Sequence, residues 1–134
     1  MATKQHSAAE KVREAPSVSK IVISYRRDDS EAVTGRIFDR LTQTFGKETV
    51  FRDIDSIPVG IDFRDHIGSV LRQSDLLVAI IGPRWLGATR GGRARIDDPT
   101  DLVRVEVETA LAMDLPIIPI LVGNARMRAM ARSW

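Results

Sequence analysis

The sequence predicts a three-layer α/β domain built on a central parallel sheet, and three observations carry that prediction. Short β-branched or apolar runs at residues 20–25, 49–51, 76–81 and 117–122 alternate with segments whose apolar residues recur at helical spacing. Strands and helices alternating in this way imply right-handed crossovers, with helices on both faces of a parallel sheet. The run Leu-Leu-Val-Ala-Ile-Ile at 76–81 is apolar at every position, as a central strand covered on both faces must be.

Each element can be justified in order. The first run ends in the polar turn Arg26-Arg27-Asp28-Asp29-Ser30, a helix start. Ile37, Phe38, Leu41 and Phe45 then mark one face of a helix over residues 31–45, which Gly46 stops. After the brief second strand, Asp53, Asp55, Pro58 and Gly60 make a loop, followed by a helical stripe of Phe63, Ile67, Val70 and Leu71 with Asp62 as N-cap. The central strand leads into a connection of about nineteen residues, 82–100, longer than structureless loops usually run. Thr100 is the expected cap of a third helix, in which Val103, Val107, Ala110 and Leu111 share a face and which Pro116 closes. Pro119 removes a ladder donor from the fourth strand, which should therefore lie at an edge or carry a local distortion.

Composition limits the chemistry. A chain of 134 residues with 43% apolar and 28% charged residues suits one globular domain. Twenty Lys and Arg against 18 Asp and Glu leave a net charge of +2, no general basis for binding nucleic acid. The absence of cysteine excludes disulfides, a thiolate metal site and a cysteine nucleophile, and two histidines, His6 and His66, make a poor metal set. No apolar run approaches the roughly 20 residues of a membrane-spanning helix, and residues 1–19 read as a polar leader, so a cytoplasmic protein is expected. The domain is expected over 20–125, with an atypical basic tail at 126–134.

Four segments together carry a family resemblance. Ile21-Val-Ile-Ser-Tyr-Arg-Arg-Asp-Asp-Ser30 resembles the first sequence box of Toll/interleukin-1 receptor (TIR) domains, particularly bacterial ones, and Arg52-Asp-Ile-Asp-Ser-Ile-Pro-Val-Gly60 resembles the second, the BB loop. Residues 74–86 and 98–111 are similar to the third-strand and third-helix segments of bacterial members. Several ordered motifs at compatible spacing are more specific than any one alone. The resemblance implies a flavodoxin-like fold with strand order 2-1-3-4. It also implies a fifth strand and last helix, for which residues 126–134 supply no clear pattern.

The resemblance implies two functional possibilities: a signalling module that assembles with other TIR domains and hydrolyses NAD+ to nicotinamide and ADP-ribose or its cyclic form, or a non-catalytic adaptor acting through homotypic interaction alone. NAD+ would be substrate, and no cofactor is implied. By position Glu106 matches the family's catalytic glutamate, and Leu102 stands where several NAD-cleaving members carry Trp. Tyr25, Arg26, Arg27, Asp53, Ser56 and Leu102 are the expected substrate-binding residues, while Ile54, Ile57, Pro58, Val59 and Gly60 form the expected self-association loop. Helix geometry puts Glu106 roughly 85° from the centre of the apolar stripe, at its margin, whereas Glu108, four residues after Arg104, reads as half of an exposed pair. No Gly-x-Gly-x-x-Gly follows the first strand, which disfavours a dinucleotide held for hydride transfer. A phosphoacceptor receiver domain shares the architecture but needs an aspartate where the third strand ends Ile81-Gly82-Pro83.

Overall fold

The computed structural model describes residues 20–52, 60–87 and 92–125. The elements run β1 (Ile21–Ser24), α1 (Arg27–Phe45), β2 (Val50–Phe51), α2 (Phe63–Arg72), β3 (Leu76–Ile81), a 3-10 turn (Arg95–Asp97), α3 (Leu102–Ala112) and β4 (Ile117–Leu121). The four strands pair in the order β2-β1-β3-β4, all parallel. This is the expected order. Among the described residues β4 is an edge strand, which tolerates Pro119 opposite Ala79.

Side-chain alternation divides the core into two sides. Ile21, Ile23, Val78 and Ile80 pack with Val33, Ile37, Phe38 and Leu41 of α1 on one side of the sheet. Val22, Leu77 and Ala79 meet Ile67 and Leu71 of α2 and Val105 and Ala110 of α3 on the other. Ser24, two residues after Val22, therefore points to the α2/α3 side. A third cluster joins Ile81, Trp85, Ile96, Val103 and Val107. The long connection is thus built around buried Trp85 and Ile96, an order that its polar, arginine-rich composition did not announce.

Three local expectations change. Asp101, not Thr100, caps α3: its carboxylate accepts from the Arg104 N–H, while the Thr100 N–H and hydroxyl both donate to Asp98. Those two bonds, with lesser help from Arg93 and Arg104, hold the Asp98 carboxyl below its usual range. Leu111 is 50% exposed and Phe45 is exposed too, so both helices turn their buried faces away from their last apolar residue. In α3 the position is filled by Val105, which faces α2 and gives this helix two buried sides. Finally, α1 begins at Arg27 rather than residue 31, with a break at Ser30 (φ −143°, ψ 25°) separating the first turn from the regular helix.

Asp62 caps α2 as expected, accepting from the Arg64 N–H at 2.8 Å. Replacing it with Ala should cost about 1 kcal/mol, because an orphan helical donor loses its partner. Urea unfolding checks this, and an unchanged midpoint would count against the cap.

Candidate functional site

The site lies at the carboxyl edge of the sheet, where the chain leaves β1 and β3 and enters α3. Ligands gather at this edge in open parallel sheets because loops and helix N-termini converge there. A cavity of about 420 Å³ opens here, lined among others by Tyr25, Arg26, Arg27, Arg95, Asp101 and Leu102. Four of the expected substrate-binding residues, Tyr25, Arg26, Arg27 and Leu102, therefore come together in one place. Asp53 and Ser56 lie outside the described residues, as do Ile54, Ile57, Pro58 and Val59 of the expected self-association loop. Gly60 is described and exposed, with φ +86°, a conformation that favours glycine.

Arg26 is not a surface arginine. It is 2% exposed, and its two terminal nitrogens donate to the two carboxylate oxygens of Asp101 at 2.8 Å each. Its Nε donates to the Trp85 carbonyl at 2.8 Å. The fork geometry suits a planar guanidinium and joins the turn after β1, the loop after β3 and the N-cap residue of α3. The donors of Arg26, one of the expected substrate-binding residues, are thus directed at the protein itself. Arg27, by contrast, is exposed at the cavity rim.

Asp29 makes a second tie. Its carboxylate accepts from the N–H groups of Gly82 and Arg84, at 3.0 and 2.7 Å, linking the first turn of α1 to the end of β3. Gly82 leaves room for this contact, since a Cβ there would stand 2.5 Å from an Asp29 oxygen and displace the carboxylate. The basic run of the long connection turns the same way: Arg84 donates to the Asp28 carbonyl, and Arg95 pairs with the Asp28 carboxylate at 2.9 Å. Arg90 lies outside the described residues.

Glu106 is the least expected placement. Helix geometry set it at the margin of the buried stripe, yet it is 3% exposed. Its Oε1 accepts from the Ser24 hydroxyl at 2.6 Å, and Ser24 is itself 1% exposed. A carboxyl group so deep in a helix face needs hydrogen bonds, because burying a polar group without them costs roughly several kcal/mol. The sequence signal was the serine that ends an otherwise apolar strand, Ile-Val-Ile-Ser, on the face that α3 covers. Glu108, as expected, is exposed and paired with Arg104. Leu102, one helical turn before Glu106, packs against the core and lines the cavity.

The fold and this edge define a parallel α/β domain with a polar cavity at the carboxyl edge of its sheet and a buried carboxylate, Glu106, one helical turn from a residue that lines it. The family model for the TIR domain matches residues 21–132, and the chain belongs to that family. The match runs seven residues into the segment read above as tail, residues 126–132. Among solved structures the chain is similar to the TIR domains in the structure of the activated Roq1 resistosome directly recognizing the pathogen effector XopQ, at 14% identity and a TM-score of 0.52. That likeness covers 77% of this chain and 57% of the other, so the chain spans little more than half of its neighbour's length. A comparison with curated proteins returned no match. No helix of the described residues is long and apolar enough to cross a membrane.

Removing Asp101 would leave Arg26 buried and unpaired. Asp101→Ala should lose about 3–5 kcal/mol of unfolding free energy, whereas the double variant Arg26→Met/Asp101→Leu should recover much of it, since an apolar pair leaves no stranded charge. Denaturant melts of the three proteins decide this, and a double variant no more stable than Asp101→Ala would contradict it.

Proposed function

We propose that this TIR domain is a cytoplasmic signalling module that assembles with its own kind and hydrolyses NAD+ to nicotinamide and ADP-ribose or its cyclic form. The observation that carries the reading is Glu106, a carboxylate buried on α3 and held by Ser24, one turn beyond the Leu102 that lines the cavity. Cleavage of the nicotinamide–ribose bond asks little more of a protein. The nicotinamide of NAD+ is already cationic and leaves as a neutral ring, so no proton donor is needed. What remains is oxocarbenium-like charge on the ribose, which one fixed carboxylate steadies while holding a hydroxyl. Arg27, exposed at the cavity rim, supplies positive charge for the pyrophosphate, with Tyr25 in the same lining.

Glu106→Gln keeps the shape and removes the charge, and losing such a stabiliser typically lowers the rate on the order of 10²–10³-fold. Glu108→Gln, on the exposed face, should leave it unchanged. Leu102→Trp gives a flat wall for a nucleotide ring and should raise the rate up to about tenfold, the return on a stacking contact of roughly 1 kcal/mol made in the transition state. Nicotinamide release from NAD+ at high protein concentration measures all three. Equal rates for the wild type and Glu106→Gln would refute the site, and no release from assembled protein would leave the adaptor reading.

Assembly is assigned to residues 54–60, the segment resembling the BB loop. The Roq1 structure, which describes TIR domains within a resistosome, supports an assembling role by analogy. Pro58→His and Gly60→Arg should each reduce self-association. In the second, a side chain is forced onto a residue with φ +86°. Sedimentation at high concentration tests the assignment; unchanged mass in both variants would count against it.

A further inference from the structure

We propose that Ser24 is a positioning residue for the reaction assigned to Glu106, an inference that rests on the NAD+-cleaving reading above. The strand Ile-Val-Ile-Ser places three apolar side chains in the core and then a hydroxyl at the position where α3 crosses. Alternation along β1 sends Ser24 to the same side as Val22, towards α2 and α3. There the hydroxyl donates to Glu106 Oε1 at 2.6 Å, within the short range of a hydrogen bond to a charged oxygen. Both residues are buried, so water cannot easily replace the hydroxyl.

The anchor is rigid. Through β1 it is bonded into the middle of the sheet, with Ser24 opposite Ala79 of β3. Two residues further on, Arg26 grips Asp101 at the start of the helix that carries Glu106. The helix is therefore fixed at two heights to the end of β1 and the turn that follows it, by Arg26 at the N-terminus of the helix and by Ser24 about 7.5 Å further along, at roughly 1.5 Å per residue. The lower contact engages the carboxylate itself. It sets which way the carboxylate group faces as well as where the helix lies.

Such a device acts on the transition state. The charge that Glu106 steadies exists only as the bond breaks, so a misdirected carboxylate lowers kcat and leaves substrate binding largely intact. Ser24→Ala should lower kcat roughly tenfold to a hundredfold, with KM changed by less than about twofold. Ser24→Thr, which keeps the hydroxyl on a residue suited to strands, should restore most of the rate. Thr34→Val is the matched control: Thr34 is fully buried on α1 and its hydroxyl has no hydrogen-bond partner among the described residues, so its loss should leave kcat unchanged.

The experiment is steady-state nicotinamide release by these variants, with Ser24→Ala also made in the Glu106→Gln background and every protein checked by thermal unfolding. The supporting result is a kcat loss in Ser24→Ala that Thr restores and that adds nothing once Glu106 is Gln. A Ser24→Ala variant as fast as the wild type overturns the positioning role while leaving Glu106 in place. So does a loss matched by Thr34→Val, a loss that persists undiminished in the Glu106→Gln background, or an effect on KM alone. A folded, assembled wild type that releases no nicotinamide overturns the NAD+ reading itself, and the positioning role with it.

Discussion

The arrangement at the carboxyl edge depends on where the positive charge of Arg26 is neutralised. Arginine does not give up its proton, so a guanidinium with only 2% exposure must be paired in place. Asp101 meets this need with both oxygens, and the Trp85 carbonyl takes the remaining Nε donor. Three segments remote in sequence are drawn to a single point. Asp101 also caps α3, so the residue that neutralises Arg26 is the one that starts the helix carrying Glu106. Buried pairs are weak contributors to net stability, since desolvation offsets much of their attraction, but they hold a geometry firmly because every alternative strands a charge.

The remaining charge at this edge follows the same logic. Aspartates in the first turn of a helix are favoured by its dipole, and Asp28 and Asp29 stand there in α1. Their side chains nevertheless reach across to the connection after β3, where Asp29 accepts two backbone N–H groups and Asp28 meets Arg95. Backbone donors at the end of a buried strand need partners, and Asp29 supplies them. The need explains the adjoining Gly82, the one residue type that leaves room for the carboxylate. The polar turn after β1 is therefore largely a structural joint, with Arg27 left exposed at the rim.

Much of this was legible in the sequence because it follows from periodicity. The four strands, their parallel order, the place of the Pro119 strand at an edge among the described residues and the Asp62 cap all agree with local patterns read against general rules. What escaped was long-range. Nothing within a few residues of Arg26 marks Asp101, 75 positions away, as its partner. Leu111 failed for a related reason: a helix packed against both a sheet and a neighbouring helix buries two sides, and a single apolar stripe does not define them. The margin position of Glu106 follows from one stripe alone, and its carboxylate reaches Ser24 at the end of β1, where it is more buried than that angle implies. Ser24 was visible as an odd polar residue, but its meaning required knowing that α3 crosses there.

Within the proposed reaction, Glu106 and Leu102 carry unequal weight. An electrostatic stabiliser in a buried site is worth about 2.7–4 kcal/mol, because its charge acts in low dielectric on a charge that forms only in the transition state. An aromatic wall adds about 0.5–1.5 kcal/mol, and part of that is shared with the ground state. A leucine at 102 therefore slows such chemistry without removing it, while the carboxylate decides whether the chemistry occurs. Keeping a carboxylate at 3% exposure is itself costly, and a structure that had no use for the charge would lower its free energy by burying an apolar residue there instead. Under the proposed reaction the hydroxyl of Ser24, the clamp on Asp101 and the burial of Glu106 serve one end, a carboxylate held in a fixed place on α3.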